Sequence, residues 1–214
     1  MKLTNLEYHT DITNIFFYIN LMKKFFAIII LTTCFIIPSQ AGNIEDLEIE
    51  GISIWDSALK HFSKEKITNS KQPYYQYVKK NKNMFSTSEI SGNYETYDVI
   101  QFSYKTNDPK YKIYYIAGMI SYKNNIEDCY KKKSEVEKDL KILFPDLRTS
   151  ETYKNKHRAD PTGESFTTSK VFYYPNNSYI IAVKCFDWSP QSNRTDHLRI
   201  IIKSKQFNDW ISEK

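Results

Sequence analysis

Glycine is scarce in this chain, five residues in 214, and the scarcity excludes a good deal of chemistry. Gly-rich phosphate loops and dinucleotide fingerprints need several glycines at fixed spacing, where backbone must approach a phosphate. The chain has no such run, and no Gly-x-Ser-x-Gly elbow or His-Glu-x-x-His pair. Cysteine is scarcer, three residues, and none reads Cys-x-x-Cys, so thioredoxin-like chemistry and structural zinc lack their ligands. No cofactor and no metal is therefore expected. Long apolar runs are missing too: the longest, Phe25 to Ile37, falls short of the about 20 residues a helical span needs. Strong charge of either sign is also lacking. Thirty Lys and Arg against 25 Asp and Glu give a net +5 spread along the chain, which is a solubility property and not a nucleic-acid footprint. Lys, Asn, Ile and Tyr are abundant and Arg is sparse, the profile of an AT-rich genome.

What the chain does have begins at Met22. Met22-Lys23-Lys24 is a basic head, Phe25 to Ile37 an apolar run, and Pro38-Ser39-Gln40-Ala41 ends in small residues at the −3 and −1 positions of a cut. That pattern is a secretory signal peptide over 22–41. Residues 1–21 read as an upstream extension. A single long signal beginning at Met1 gives the same mature chain, and Leu31-Thr32-Thr33-Cys34 fits a lipoprotein cut poorly, because Phe35-Ile36-Ile37 continues the apolar run. The mature chain, 42–214, has the length of a single domain and belongs in the periplasm or outside the cell. Cys129 and Cys185 remain in it as an even pair in an oxidising compartment. A bridge between them is worth about 4 kcal/mol on the chain-entropy model; two buried free thiols are the alternative.

The periodicity predicts an α+β domain. Ser53 and Asp56 form a helix-start pair, with Ile54, Ala58 and Phe62 on one side of a short helix, so short helices are expected near residues 54–67. Pro73 to Phe85 reads as a strand or an aromatic-rich loop. Asp98 to Lys105 alternates apolar and polar, with Gln101, Ser103 and Lys105 on a wet face. Tyr111 to Tyr122 reads as a central strand. Ile126 to Phe144 is the long helix, capped by Asn125 and stopped before Pro145. Its stripe is Ile126, Cys129, Val136, Leu140 and Leu143, its opposite side carries Glu127–Lys131, Asp128–Lys132 and Glu137–Lys141 pairs, and Lys131-Lys132-Lys133 forms a solvated face. Residues 146–167 read as a long irregular connection. Val171 to Tyr174 and Tyr179 to Trp188 form a hairpin; Leu198, Ile200 and Ile202 mark a last strand, and Ser204 caps a terminal helix docked by Phe207, Trp210 and Ile211. The sum is an antiparallel sheet of about five strands with the helix 126–144 packed on it. Cys129 on the helix and Cys185 on the strand face of Ile181 and Val183 then meet.

Candidate site residues are few. Of four histidines, His9 precedes the signal, and His61, His157 and His197 are far apart in sequence. The stretch His157-Arg158-Ala159-Asp160-Pro161-Thr162-Gly163-Glu164-Ser165 gathers an imidazole, a guanidinium and carboxylates in a loop, and a second polar loop runs from Asp187 to His197. His157, Arg158, Asp160, Asp187 and His197 are thus the residues to watch. They suit an anionic-ligand or sugar site, or a general base, His157 or His197, oriented by a carboxylate. Tyr74, Tyr75 and Tyr77 suit sugar stacking or a protein partner.

Four segments carry a resemblance: Asn43-Ile44-Glu45-Asp46-Leu47-Glu48-Ile49-Glu50-Gly51-Ile52-Ser53-Ile54, Ile126-Glu127-Asp128-Cys129-Tyr130-Lys131-Lys132, Cys185-Phe186-Asp187-Trp188 and Phe207-Asn208-Asp209-Trp210-Ile211. They resemble small uncharacterised exported proteins of AT-rich marine alphaproteobacteria, over essentially the whole mature chain. The resemblance implies export, both cysteines and one domain, and no activity. Gly-Asp in those relatives stands where this chain has Trp55-Asp56, so entry to the first helix differs here. The expected function is a non-catalytic binding or envelope accessory protein, with a protein, small-molecule or glycan ligand; the alternative is a small periplasmic hydrolase using His157 or His197.

Overall fold

The structure, a computed structural model, describes residues 47–75, 81, 83–123 and 125–212. The expected extension at 1–21, the expected signal at 22–41 and Tyr77 lie outside those residues. The described part is α+β, built on one antiparallel sheet of nine strands. These are β1 (Lys71–Gln72), β2 (Phe85–Ser91), β3 (Val99–Lys105), β4 (Ile113–Ser121), β5 (Arg148–Thr149), β6 (Tyr153–Lys156), β7 (Phe166–Tyr173), β8 (Tyr179–Asp187) and β9 (His197–Ser204). The helices are α1 (Lys64–Asn69), α2 (Ile126–Leu143) and α3 (Lys205–Ser212). Strand order is β1-β2-β3-β4-β9-β8-β7-β5, with β6 also paired to β7. Two meanders, β1 to β4 and β7 to β9, are thus joined by β9, which lies between β4 and β8.

The sheet exceeds the expected five strands for a physical reason. β5 and β6 are wholly exposed, so they carry no apolar alternation and were read as part of an irregular connection over 146–167. Their backbone is instead paired to β7. β2 buries Thr87 and Ser88 where apolar residues would have announced it.

Strand alternation gives the sheet two faces. One carries Phe172, Ile181, Val183, Cys185 and Leu198 and packs against Cys129, Leu140 and Phe144 of α2 and its C-cap. Cys129 and Cys185 are joined as a disulfide there, Cα–Cα 6.0 Å. The same face continues into Ile90, Ile100, Phe102 and Ile116, covered by Ile49, Ile52, Ile54, Ala58, Phe62 and Ile67. Gly118 lies on it because the Tyr97 ring occupies the space a Cβ would need, 2.5 Å away.

Asn125 caps α2 by accepting from the Asp128 N–H, and Phe144 closes it. The buried stripe differs from the expected one. Leu143 is exposed, while Lys133 is buried among the stripe positions and pairs with Glu137; Glu137 is drawn back to Lys133 and not forward to Lys141. Lys131 and Lys132 are solvated as expected. Ser53 donates its N–H to the Asp56 carboxylate, 3.1 Å, but residues 53–56 close a turn. Helical structure begins as a 3-10 turn at Ala58–Lys60 capped by Ser57, and α1 follows, capped by Ser63. Trp55 takes φ 74°, the left-handed region that costs a non-glycine residue about 1–2 kcal/mol. Its backbone N–H donates to Ile113 at 2.9 Å and its indole N–H to the Tyr179 hydroxyl at 2.8 Å, which hold it there.

The opposite face is closed at one end by α3. Phe207 and Trp210 are buried against Phe85, Tyr115, Ala117, Ala182 and Ile201, and the Phe207 N–H donates to Ser204 Oγ at 3.2 Å. Gln101 and Ser103, expected on a wet face, are buried on this side too, Gln101 bonded to Glu89 and Tyr115 and Ser103 to Thr87.

Candidate functional site

The other end of this second face is polar, and the β8–β9 register builds it. Lys184 stands directly opposite Arg199, and Phe186 opposite His197. Their alternation puts all four on the side away from α2. Two cations facing each other across a strand pair repel, and both are half-buried. Phe186 is the centre of the cluster. His197 stacks on it at 4.5 Å with rings 12° apart, and the Arg199 guanidinium lies 4.9 Å from its centroid. His157, brought in by the loop after β6, lies 5.5 Å from Phe186 and 4.3 Å from Trp188. Arg194 covers the Trp188 ring at 4.5 Å.

The hydrogen bonds fix the state of the histidines. His197 Nδ1 lies 2.9 Å from the Thr195 carbonyl and Nε2 lies 3.3 Å from Arg199 Nη2. One neutral tautomer satisfies both contacts: Nδ1–H donates to the carbonyl and Nε2 accepts from the guanidinium. Burial, and then the Arg199 charge, accordingly push His197 down to about 4. His157 Nδ1 accepts from the Ala159 N–H at 3.1 Å, and burial followed by the Arg194 charge lowers its pKa. Burial, with the Arg199 charge second, also lowers Lys184. Burial and then Lys184 bring Lys203, further along β9, to about 8. Among the described residues no carboxylate lies within ion-pair distance of Lys184, Arg194, Arg199 or Lys203. Two donors in the cluster, Arg199 Nε and Trp188 Nε1, are buried without a hydrogen-bond partner among the described residues, which is costly unless something accepts from them.

A polar relay leads away from the cluster across the sheet. The Tyr115 hydroxyl donates to Gln101 Oε1 at 2.9 Å, Gln101 Nε2 donates to Glu89 Oε2 at 2.8 Å, and the Tyr74 hydroxyl donates to the same oxygen at 2.9 Å. Burial, then the Glu89 charge, raise Tyr74 to about 12.

The residues expected from sequence separate into four groups. His157 and His197 come together around Phe186 and Trp188. Asp160 is buried beneath its loop and accepts from the N–H and hydroxyl of Thr162, the N–H and hydroxyl of Ser165, and the Ser189 hydroxyl. The Ser165 and Thr162 hydroxyls hold its carboxyl well below the usual carboxylate range. It pins the 157–165 loop to the segment after β8, and so places His157. Asp187 lies on the strand face of Cys185, accepting from the Tyr130 hydroxyl at 3.4 Å, with Lys154 at 3.5 Å. Arg158 is exposed. Sequence reasoning missed Lys184, Phe186, Trp188, Arg194 and Arg199. A signal was present: Lys184 and Arg199 interrupt otherwise apolar strands at the same alternation phase as Phe186 and His197.

The geometry suits charge recognition better than proton transfer. Neither His157 nor His197 has a carboxylate among its hydrogen-bond partners in the described residues. The histidine–carboxylate contact that does occur is His61 with Asp56, 3.5 Å apart, where Asp56 also pairs with Lys60. No group of three metal-ligating side chains occurs among the described residues. None of their helices is long and apolar enough to cross a membrane. Comparison with protein-family models, with curated proteins and with solved structures finds no match.

Proposed function

We propose that this chain is a non-catalytic exported binding protein of the bacterial envelope, periplasmic or secreted, whose ligand presents an anionic group to the Lys184–Arg199 face. The observation that carries the reading is the pair of half-buried cations facing each other across β8 and β9 without a carboxylate counter-ion among the described residues. An oxyanion between them would relieve their repulsion and accept from the unpartnered Arg199 Nε. The Cys129–Cys185 disulfide is in keeping with an oxidising compartment, and the small exported proteins that the sequence resembles give the reading its bacterial setting.

Titration of the purified protein with sodium sulfate and sodium glucuronate, followed by amide NMR, tests it. Saturable shifts at Lys184, Phe186 and Arg199 are expected, with affinity about tenfold weaker in Arg199→Ala. Affinity should also rise as pH falls from about 6.5 towards 4, because a bound anion favours the protonated imidazoles that burial now disfavours. Shifts that never saturate, or binding indifferent to Arg199, would remove the proposal.

A further inference from the structure

A second candidate site lies on the outer part of the sheet, at the Tyr74 end of the relay that leads away from the cationic cluster. A groove of about 730 Å³ runs beside β1 and β2, lined by Gln72, Tyr74, Asn83, Ser86, Thr106 and Asn107 among others. The volume is that of a small-molecule site, but the lining is unlike an apolar pocket. Its side chains are mostly amides and hydroxyls, each able to donate and to accept. The Gln72, Asn83 and Asn107 amides line the groove and make no hydrogen bond within the described residues. Ser86 and Thr106 hydroxyls are bonded to each other at 3.1 Å and hold that wall in place.

Two aromatic rings complete the groove. Tyr74 is 43% exposed, and its hydroxyl is fastened to Glu89 at 2.9 Å. Tyr75 is wedged edge-on against Phe207 and Trp210, with centroids at 5.6 and 5.9 Å. A ring that is both exposed and held is a preorganised stacking surface, which lowers the ordering cost of binding. Charge narrows the class of ligand. Glu89 stands at the Tyr74 end and would repel an anion, so an acidic molecule would go to the Arg199 cluster. Lys71 is the cation of the lining. Paired donors and acceptors beside an exposed ring match vicinal hydroxyls on a sugar ring, whose C–H face lies on the aromatic.

From this arrangement we infer that the Tyr74 groove binds a neutral saccharide, with Tyr74 as the stacking platform and Gln72, Asn83 and Asn107 reading hydroxyls. The experiment is calorimetric titration of the purified protein with three neutral probes, chitotetraose, cellotetraose and maltotetraose. Saturable binding of at least one is expected. Tyr74→Ala should weaken it about tenfold, and Tyr74→Phe, which keeps the ring, should retain most of it. Gln72→Ala, at a half-buried side chain with no hydrogen bond to lose among the described residues, should weaken it less. Added salt should leave it unchanged, since no charge pairing is involved. Absence of saturable binding to all three probes overturns the inference. So does binding that persists in Tyr74→Ala and Gln72→Ala proteins of native circular dichroism, or binding that salt abolishes.

Discussion

The two faces of one sheet are built from alternate residues of the same strands, yet they are closed by opposite means. Beneath α2 and the 49–67 segment the face is apolar and is fastened by a disulfide. On the other side α3 seals one end with Phe207 and Trp210, and the rest is filled by Lys184, Arg199, His197, Gln101 and Glu89. Burial on the first face is favourable on its own account. On the second it desolvates cations and holds imidazoles neutral, which lowers stability where binding is proposed. Retaining such groups in the middle of otherwise apolar strands is what a site looks like when local stability has been given up for recognition.

The comparison can be broken most forcefully at the disulfide. Replacing Cys129 and Cys185 together by alanine should lower unfolding free energy by about 4 kcal/mol. Urea unfolding of oxidised and double-variant protein measures it; a loss below about 1 kcal/mol would mean that the bridge adds little to the helix-side face.

A smaller effect should follow from acid. With His197 held near 4 in the fold and near 6.5 when unfolded, the unfolded chain binds the proton first as pH falls. Stability is therefore complete above about 6.5 and is lost progressively down to about 4. Urea midpoints across that range should fall less steeply for His197→Gln than for the native chain. Equal slopes would show that the ring is not held neutral.

The smallest effect should have the opposite sign. Lys184→Met removes one of two facing cations and fills the position with apolar volume, so stability should rise by about 1 kcal/mol while anion affinity falls. Loss of stability in this variant would show that the lysine is satisfied in the unliganded protein, and the contrast between the faces would weaken.

How much of this was legible in the sequence depends on burial. α2, α3, the β7–β8 hairpin, β3, β4 and β9 announced themselves because burial on one or both sides imposes a period. β1 and β5, two residues each, and the exposed β6 impose none. They exist because long-range partners accept their backbone hydrogen bonds. The wet side expected for Gln101 and Ser103 was wrong because both are buried against partners on neighbouring strands, Tyr115 and Glu89 for Gln101 and Thr87 for Ser103, contacts no local pattern encodes. In the site, His157 and His197 were visible because histidine is rare and polar loops attract notice. Lys184 and Arg199 were hidden inside strands, where a charged residue usually means a solvated side. Asp160 was visible for the right chemistry and the wrong task, since five donors from Thr162, Ser165 and Ser189 turn its carboxylate into a loop anchor.

The position of β9 has a consequence in time. β9 follows β4 and β8 in the chain but lies between them in the sheet, so a nascent chain that has β8 and not yet β9 carries two bare inner edges, on β4 and on β8. Neither can pair correctly until the final strand arrives, and such edges are sticky. The topology thus keeps the sheet open until β9 is made, and closes it in one long-range step.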